Sequence, residues 1–195
     1  MLIGSNNSLT YLEPSSWWLK LFRWLGRCQE VSYDDQYTYY GIRFFDFRVT
    51  IDDSGHIAAK NKKFTYPLNS IYEILDYFNK REDVTVLITL DISFNEHVSN
   101  YNTSSLENKF IEFCNILERI YEHVNFCGGY RKFDKKVLYE FNGDMPCIVR
   151  PSNWSFFYRF ARKWCPFMVK RFNRMYIEKF KHKKGYLLLN YANRR

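Results

Sequence analysis

Apolar and polar positions along this chain follow two periods in turn. Gly41–Thr50 (GIRFFDFRVT) is rich in β-branched and aromatic residues and predicts a strand. Its alternation sets Phe44, Asp46 and Arg48 on one face, and Phe45, Phe47 and Val49 on the other. Asp52–Gly55 predicts a turn, and His56–Ala59 a short returning strand. Leu68–Lys80 has apolar residues at 68, 71, 74, 75 and 78, which is helical spacing. Val84–Leu90 (VTVLITL) is a continuous apolar run ending at Asp91, as expected of a strand covered on both faces. Ser104 or Ser105 is placed to cap a helix reaching about His123, with Phe110, Phe113, Ile116, Leu117, Ile120 and Val124 on its buried side. Val124–Cys127 reads as a strand ended by Gly128-Gly129, and Cys147–Arg150 as extended. Trp154–Lys181 reads as helical with an interruption near Pro166, and Tyr186–Tyr191 as a closing strand.

Strands that alternate with helices argue for a parallel α/β protein of six to eight strands. No glycine-rich phosphate loop follows the first strand, which sets aside an open doubly wound sheet. The fold expected is a compact, distorted or incomplete (β/α) TIM-like barrel. It forms a single domain over residues 1–195, with residues 149–195 as part of it. In such barrels the chemistry lies at the C-terminal ends of strands. Those ends carry Asn6 and Asn7, Asp46 and Arg48, Asn61, Asp91 and Asn190. An Asp and an Arg on one face of an apolar strand are either a structural pair or a guanidinium held for an anionic ligand.

Composition narrows this further. Aromatic residues make up 20% of the 195 residues, enough to dominate the core and leave some rings at the surface. The uncharged stretch Met1–Leu12 is too short and too polar to cross a bilayer, and no secretory signal is read. The expected location is cytoplasmic or peripheral to a membrane. The five cysteines show no CxxC spacing, so zinc is not expected and free, mostly buried thiols are. Net charge is +8, but it is divided: +12 from Val149 onward and −4 before it. The basic quarter suits a solvated face first, anionic lipid second and nucleic acid third, because no nucleic-acid motif is present. Trp17–Arg27 (WWLKLFRWLGR), read as a helix, puts Lys20, Arg23 and Arg27 on one face. The expectation is a helix docked as a cap with most rings in the core. One of Trp17, Trp18 and Trp24 is left to touch a membrane.

The opening GSNNSLTYL at 4–12, RCQ at 27–29 and GIRFFDFRV at 41–49 together resemble the phosphatidylinositol-specific phospholipase C X-domain-like family. The likeness is greatest to its small bacterial and phage-type members, and YLLLNYAN resembles the family's last strand. The resemblance implies a distorted barrel that cleaves a phosphodiester beside an inositol hydroxyl without a cofactor. It further implies that one His deprotonates the attacking hydroxyl, a second His protonates the leaving alcohol, and a basic group neutralises the phosphate. Asn6 stands where the first His belongs, and Asn61 stands at or next to the second. Arg48 resembles the arginine that replaces calcium in metal-independent members. Its charge argues against calcium on Asn7, Asp46 and Asp91. Asn190 replaces a carboxylate near the end. An amide binds phosphates and hydroxyls but carries no proton at neutral pH.

The chain is therefore read as a monomeric phospholipase-C-like domain. It binds a phosphodiester or phosphoinositide-type ligand at Asn6, Asn7, Asp46, Arg48, Asn61, Asp91 and Asn190, and its hydrolysis is weak or lost. Two alternatives stand beside this reading. One is an active metal-independent diesterase with His97 as the substitute acid or base; the other is a protein that binds anionic lipid or polyanions without catalysis.

Overall fold

The strand read in Gly41–Thr50 becomes the backbone of a sheet. The computed structural model describes residues 1–51, 55–61, 64–67, 69–81, 83–92, 100–151, 158, 160 and 165–193. Six parallel strands run in the spatial order β6 (Asn125–Arg131), β5 (Thr85–Leu90), β2 (Phe44–Ile51), β1 (Leu2–Ser5), β8 (Tyr186–Leu189) and β7 (Ile148–Val149). β3 (Ile57–Asn61) returns antiparallel beside the end of β2, and β4 (Phe64–Tyr66) pairs with β3. Among the described residues no ladder joins β6 to β7, so the barrel is left open along that seam. The architecture is the distorted, incomplete barrel expected from the alternation of strands and helices.

Alternation along β2 separates two environments. Phe44 packs with Leu87, Cys127 and Leu188 in a small cluster inside the barrel. Phe45, Phe47 and Val49 belong to the large outer core with Ile74, Leu75 and Phe78 of α4 (Asn69–Asn79) and Phe110, Phe113 and Leu117 of α5 (Asn100–Ile120). A second helix of the outer layer, α6 (Pro166–Phe180), adds Val169, Tyr176 and Phe180 to that core.

Several expected boundaries move. α5 begins at Asn100, so Ser104 and Ser105 lie within it and do not cap it. Ile120 ends that helix 55% exposed; Cys114 from the helix, with Tyr121 and Val124 from the turn after it, covers the sheet. Pro166 starts α6, where its missing N–H costs nothing. Residues 154–157, 159 and 161–164, which the predicted helix also spanned, lie outside the described residues. Strand β4 has no counterpart in the sequence reading. Strand β6 is not ended by Gly128-Gly129 but runs through them to Arg131, with φ of 103° and 69° and a register shift opposite Ile88/Thr89. A Cβ on Gly128 would lie 2.5 Å from the Ile88 carbonyl oxygen, so this bulge requires glycine.

The largest departure is at the tryptophans. Trp17–Arg27 forms two short turns, α1 (Trp17–Lys20) and α2 (Arg23–Gly26), in place of one helix. The cations tie this segment down: Lys20 and Arg23 both pair with Glu13, and Arg27 donates to the Gln29 and Glu30 carbonyls. The rings face solvent, with Trp17 77%, Trp18 54% and Trp24 41% exposed beside Leu21 and Phe22. Most rings were expected in the core, and that expectation fails. Among the described residues no helix is long and apolar enough to cross a membrane. The five cysteines are free thiols, of which Cys28, Cys114 and Cys127 are buried and Cys147 is exposed.

Candidate functional site

Asn7 turns the chain out of β1. Its backbone is left-handed (φ 53°), a conformation asparagine adopts more readily than most residues. This orients the Asn7 N–H to donate to Asp46 Oδ2 at 3.2 Å. Ser8 Oγ accepts from the Asp46 N–H at 2.9 Å, so the first loop is fastened to the centre of β2. Gln29, buried, donates to the carbonyls of Asn6 and Leu189 and accepts from the Ala192 N–H, which joins the ends of β1 and β8. Tyr158 and Asn173 hold Asn190: the Tyr158 hydroxyl accepts from its N–H, and Asn173 Nδ2 donates to its carbonyl.

On this frame sits a charge network. Arg48 Nη2 donates to Asp46 Oδ2 at 2.9 Å and to Asn6 Oδ1 at 3.0 Å. Asn6 Nδ2 in turn donates to Asn190 Oδ1 at 2.8 Å. Arg150, just past β7, brings its guanidinium to 3.5 Å from Asp46 Oδ1. Asn7 and Asn61 both direct their amide N–H groups at the Cys28 sulfur, at 3.9 and 3.6 Å. Asn6, Asn7, Asp46, Arg48, Asn61 and Asn190, which come from four separate stretches of sequence, thus meet in one connected network. Asp91 stands at the end of neighbouring β5, ion-paired with Lys132, and its charge still acts on Arg48. His97 lies outside the described residues.

Burial pushes the Asp46 carboxyl up. The Arg48 and Arg150 guanidiniums and the hydrogen bonds from Arg48 and Asn7 outweigh it and hold the group below the usual carboxylate range. Burial likewise works against the Arg48 charge, and Asp46 more than restores it. The outcome is a fixed cation beside a fixed anion. Asp46 Oδ1 and Arg150 Nε are buried with no hydrogen-bond partner among the described residues. Asp46 Oδ1 is thus held by the Arg150 charge alone, and Arg150 Nε keeps an unused donor. Among the described residues no three His, Cys, Asp or Glu side chains gather as metal ligands. The arrangement can bind an anion and a hydroxyl; its amides cannot move a proton.

Sequence reasoning missed Arg150, Cys28 and Lys132. Arg150 ends a segment already read as extended, so the strand-end rule that selects Asp46 would have selected it too.

No protein-family model and no curated protein matches this sequence. Solved structures do. Two from work on modulation of membrane binding by the phosphatidylinositol-specific phospholipase C of Staphylococcus aureus align over 97% of this chain and 85% of theirs. Their TM-scores are 0.58 and 0.54, at 11% and 10% identity. A double mutant of that enzyme aligns with a TM-score of 0.52 at 11% identity, over 97% of this chain and 84% of its own. The fold is phospholipase-C-like. In this phospholipase-C-like barrel the network around Asp46 lies just past the C-terminal ends of β1 and β8 and against the middle of the longer β2, on the side at which barrels of this kind place their chemistry.

Proposed function

We propose that this phospholipase-C-like domain binds a phosphodiester or inositol-phosphate-type ligand at Arg48 and turns it over slowly or not at all. The observation that carries the reading is the pairing of Arg48 with buried Asp46 and with Asn6. A cation is positioned for phosphate, and the group at the position of the family's proton carrier is an amide. Arg48 grips the phosphate oxygens, and Asp46 Oδ1 accepts from a headgroup hydroxyl. Asn6 and Asn61 contribute hydrogen bonds without acid–base chemistry. Each missing acid–base partner removes about 10²–10⁴-fold in rate.

The exposed Trp17, Trp18, Leu21, Phe22 and Trp24 favour docking at a lipid–water interface, which would bring a headgroup to the site. The experiment is hydrolysis of phosphatidylinositol vesicles by the natural chain and by Asn6→His/Asn61→His. Silence from the natural chain with turnover by the double variant supports the reading. Turnover by the natural chain that disappears in His97→Ala overturns the loss of activity and favours the substitute-base alternative.

A further inference from the structure

The turn after β6 holds four cations in six residues, Arg131-Lys132-Phe133-Asp134-Lys135-Lys136. Three of them are neutralised by carboxylates. Arg131 pairs with Glu107 and Asp134, Lys132 with Asp91, and Lys136 with Glu107. Lys135 has no carboxylate partner among the described residues. Its backbone is left-handed (φ 63°), a costly conformation for a residue with a Cβ. The Lys135 N–H donates to the Arg131 carbonyl at 3.0 Å and the Arg131 N–H to the Lys136 carbonyl at 2.8 Å, which fixes the turn.

That conformation carries the ammonium back over the Tyr130 ring, with Nζ 4.5 Å from its centroid. Tyr130 packs against the inner cluster of the barrel, and its hydroxyl feels the charge of Arg150. Contacts and charge interactions therefore link Arg48 through Asp46, Arg150 and Tyr130 to Lys135. Partial desolvation, then Arg150, and further Arg48 and Lys132 push the Lys135 ammonium below its ordinary range, with Asp46 opposing them. Four cations thus share two carboxylates: Asp46 serves both guanidiniums, and Asp91 is taken by Lys132. Like charges held together in this way are relieved by an anion with more than one charged group.

We propose that Lys135 and Arg150 form a second anion subsite beside Arg48, so that the ligand is a headgroup carrying two phosphates and not one. This rests on the reading of Arg48 as the first phosphate contact. The test is calorimetric titration of the full chain with inositol 1-phosphate and with inositol 1,4-bisphosphate at one fixed salt concentration. The natural chain is expected to bind the bisphosphate about tenfold or more tightly than the monophosphate, the scale of one charge-assisted hydrogen bond. Lys135→Met removes that preference and leaves monophosphate affinity in place. Lys135→Arg retains it, and Lys136→Met, in the same turn but paired with Glu107, changes neither. The preference falls as pH rises through the lowered Lys135 value, because a neutral amine attracts no phosphate.

Equal affinity for the two compounds overturns the subsite, as does a Lys135→Met variant that weakens both equally. No binding of either compound, and none to vesicles containing phosphatidylinositol 4-phosphate, removes the underlying reading as well. Vesicles containing phosphatidylinositol 4-phosphate identify the source. Binding to them but not to the soluble bisphosphate assigns the subsite to a lipid-borne headgroup, and binding to both assigns it to the headgroup chemistry alone.

Discussion

Asp46 has no exposed side-chain surface and faces a guanidinium on each oxygen, Arg48 at 2.9 Å and Arg150 at 3.5 Å. Asp46→Asn would leave those two cations facing each other without their counter-charge. Urea denaturation is expected to show a loss of about 3–5 kcal/mol, the usual cost of breaking a buried pair from one side. The pH dependence follows from the direction of the shift. Because the folded carboxyl lies below its unfolded value, its contribution is complete above the ordinary carboxylate range. It is lost as pH falls through the depressed value, and the variant should lack that acid limb. At this scale much was legible. Alternation alone put Asp46 and Arg48 on one shared face, and the strand-end rule picked out Asn6, Asn61 and Asn190. The meeting of Asn7 and Asn61 at Cys28 was not legible, because those side chains come together only through tertiary packing of three distant segments.

At the scale of elements, β6 and the turn after it depend on two glycines. Gly129 has φ 69°, and a Cβ there would lie 2.0 Å from the Tyr139 carbonyl oxygen. The Leu138 and Tyr139 N–H groups both donate to the Gly129 carbonyl at 2.9 Å, so the returning segment cannot move away freely. Gly129→Ala should therefore destabilise by more than about 1 kcal/mol in thermal unfolding. It should also blunt any discrimination that depends on Lys135, because it shifts the turn that carries it. In sequence, a Gly-Gly pair after a short apolar run has the form of a strand end. Its use as a bulge inside a longer strand appears only when the register against β5 is known. The helices of the outer layer were easier to read, since Ile71, Ile74, Leu75 and Phe78 keep a strict helical period and all are buried. The tryptophan segment misled for the opposite reason. Its rings have the spacing of a core helix, but Glu13 and backbone carbonyls hold its cations and turn the rings outward.

For the molecule as a whole, charge and exposed rings belong together. A chain of net charge +8, with +12 in its last quarter, is drawn to anionic surfaces over the range of the Debye length. Association with phosphatidylserine vesicles in a sedimentation assay should weaken steeply with added salt. Trp17→Ala/Trp18→Ala should reduce the salt-resistant part while leaving stability within about 0.5 kcal/mol, as is usual for exposed positions. Three of the five tryptophans, Trp17, Trp18 and Trp24, sit within Trp17–Arg27 and face water. Indole emission shifts to shorter wavelength when water leaves the ring. The protein thus carries its own optical reporter, and its ultraviolet fluorescence will register the moment this face meets a lipid surface, with no dye attached.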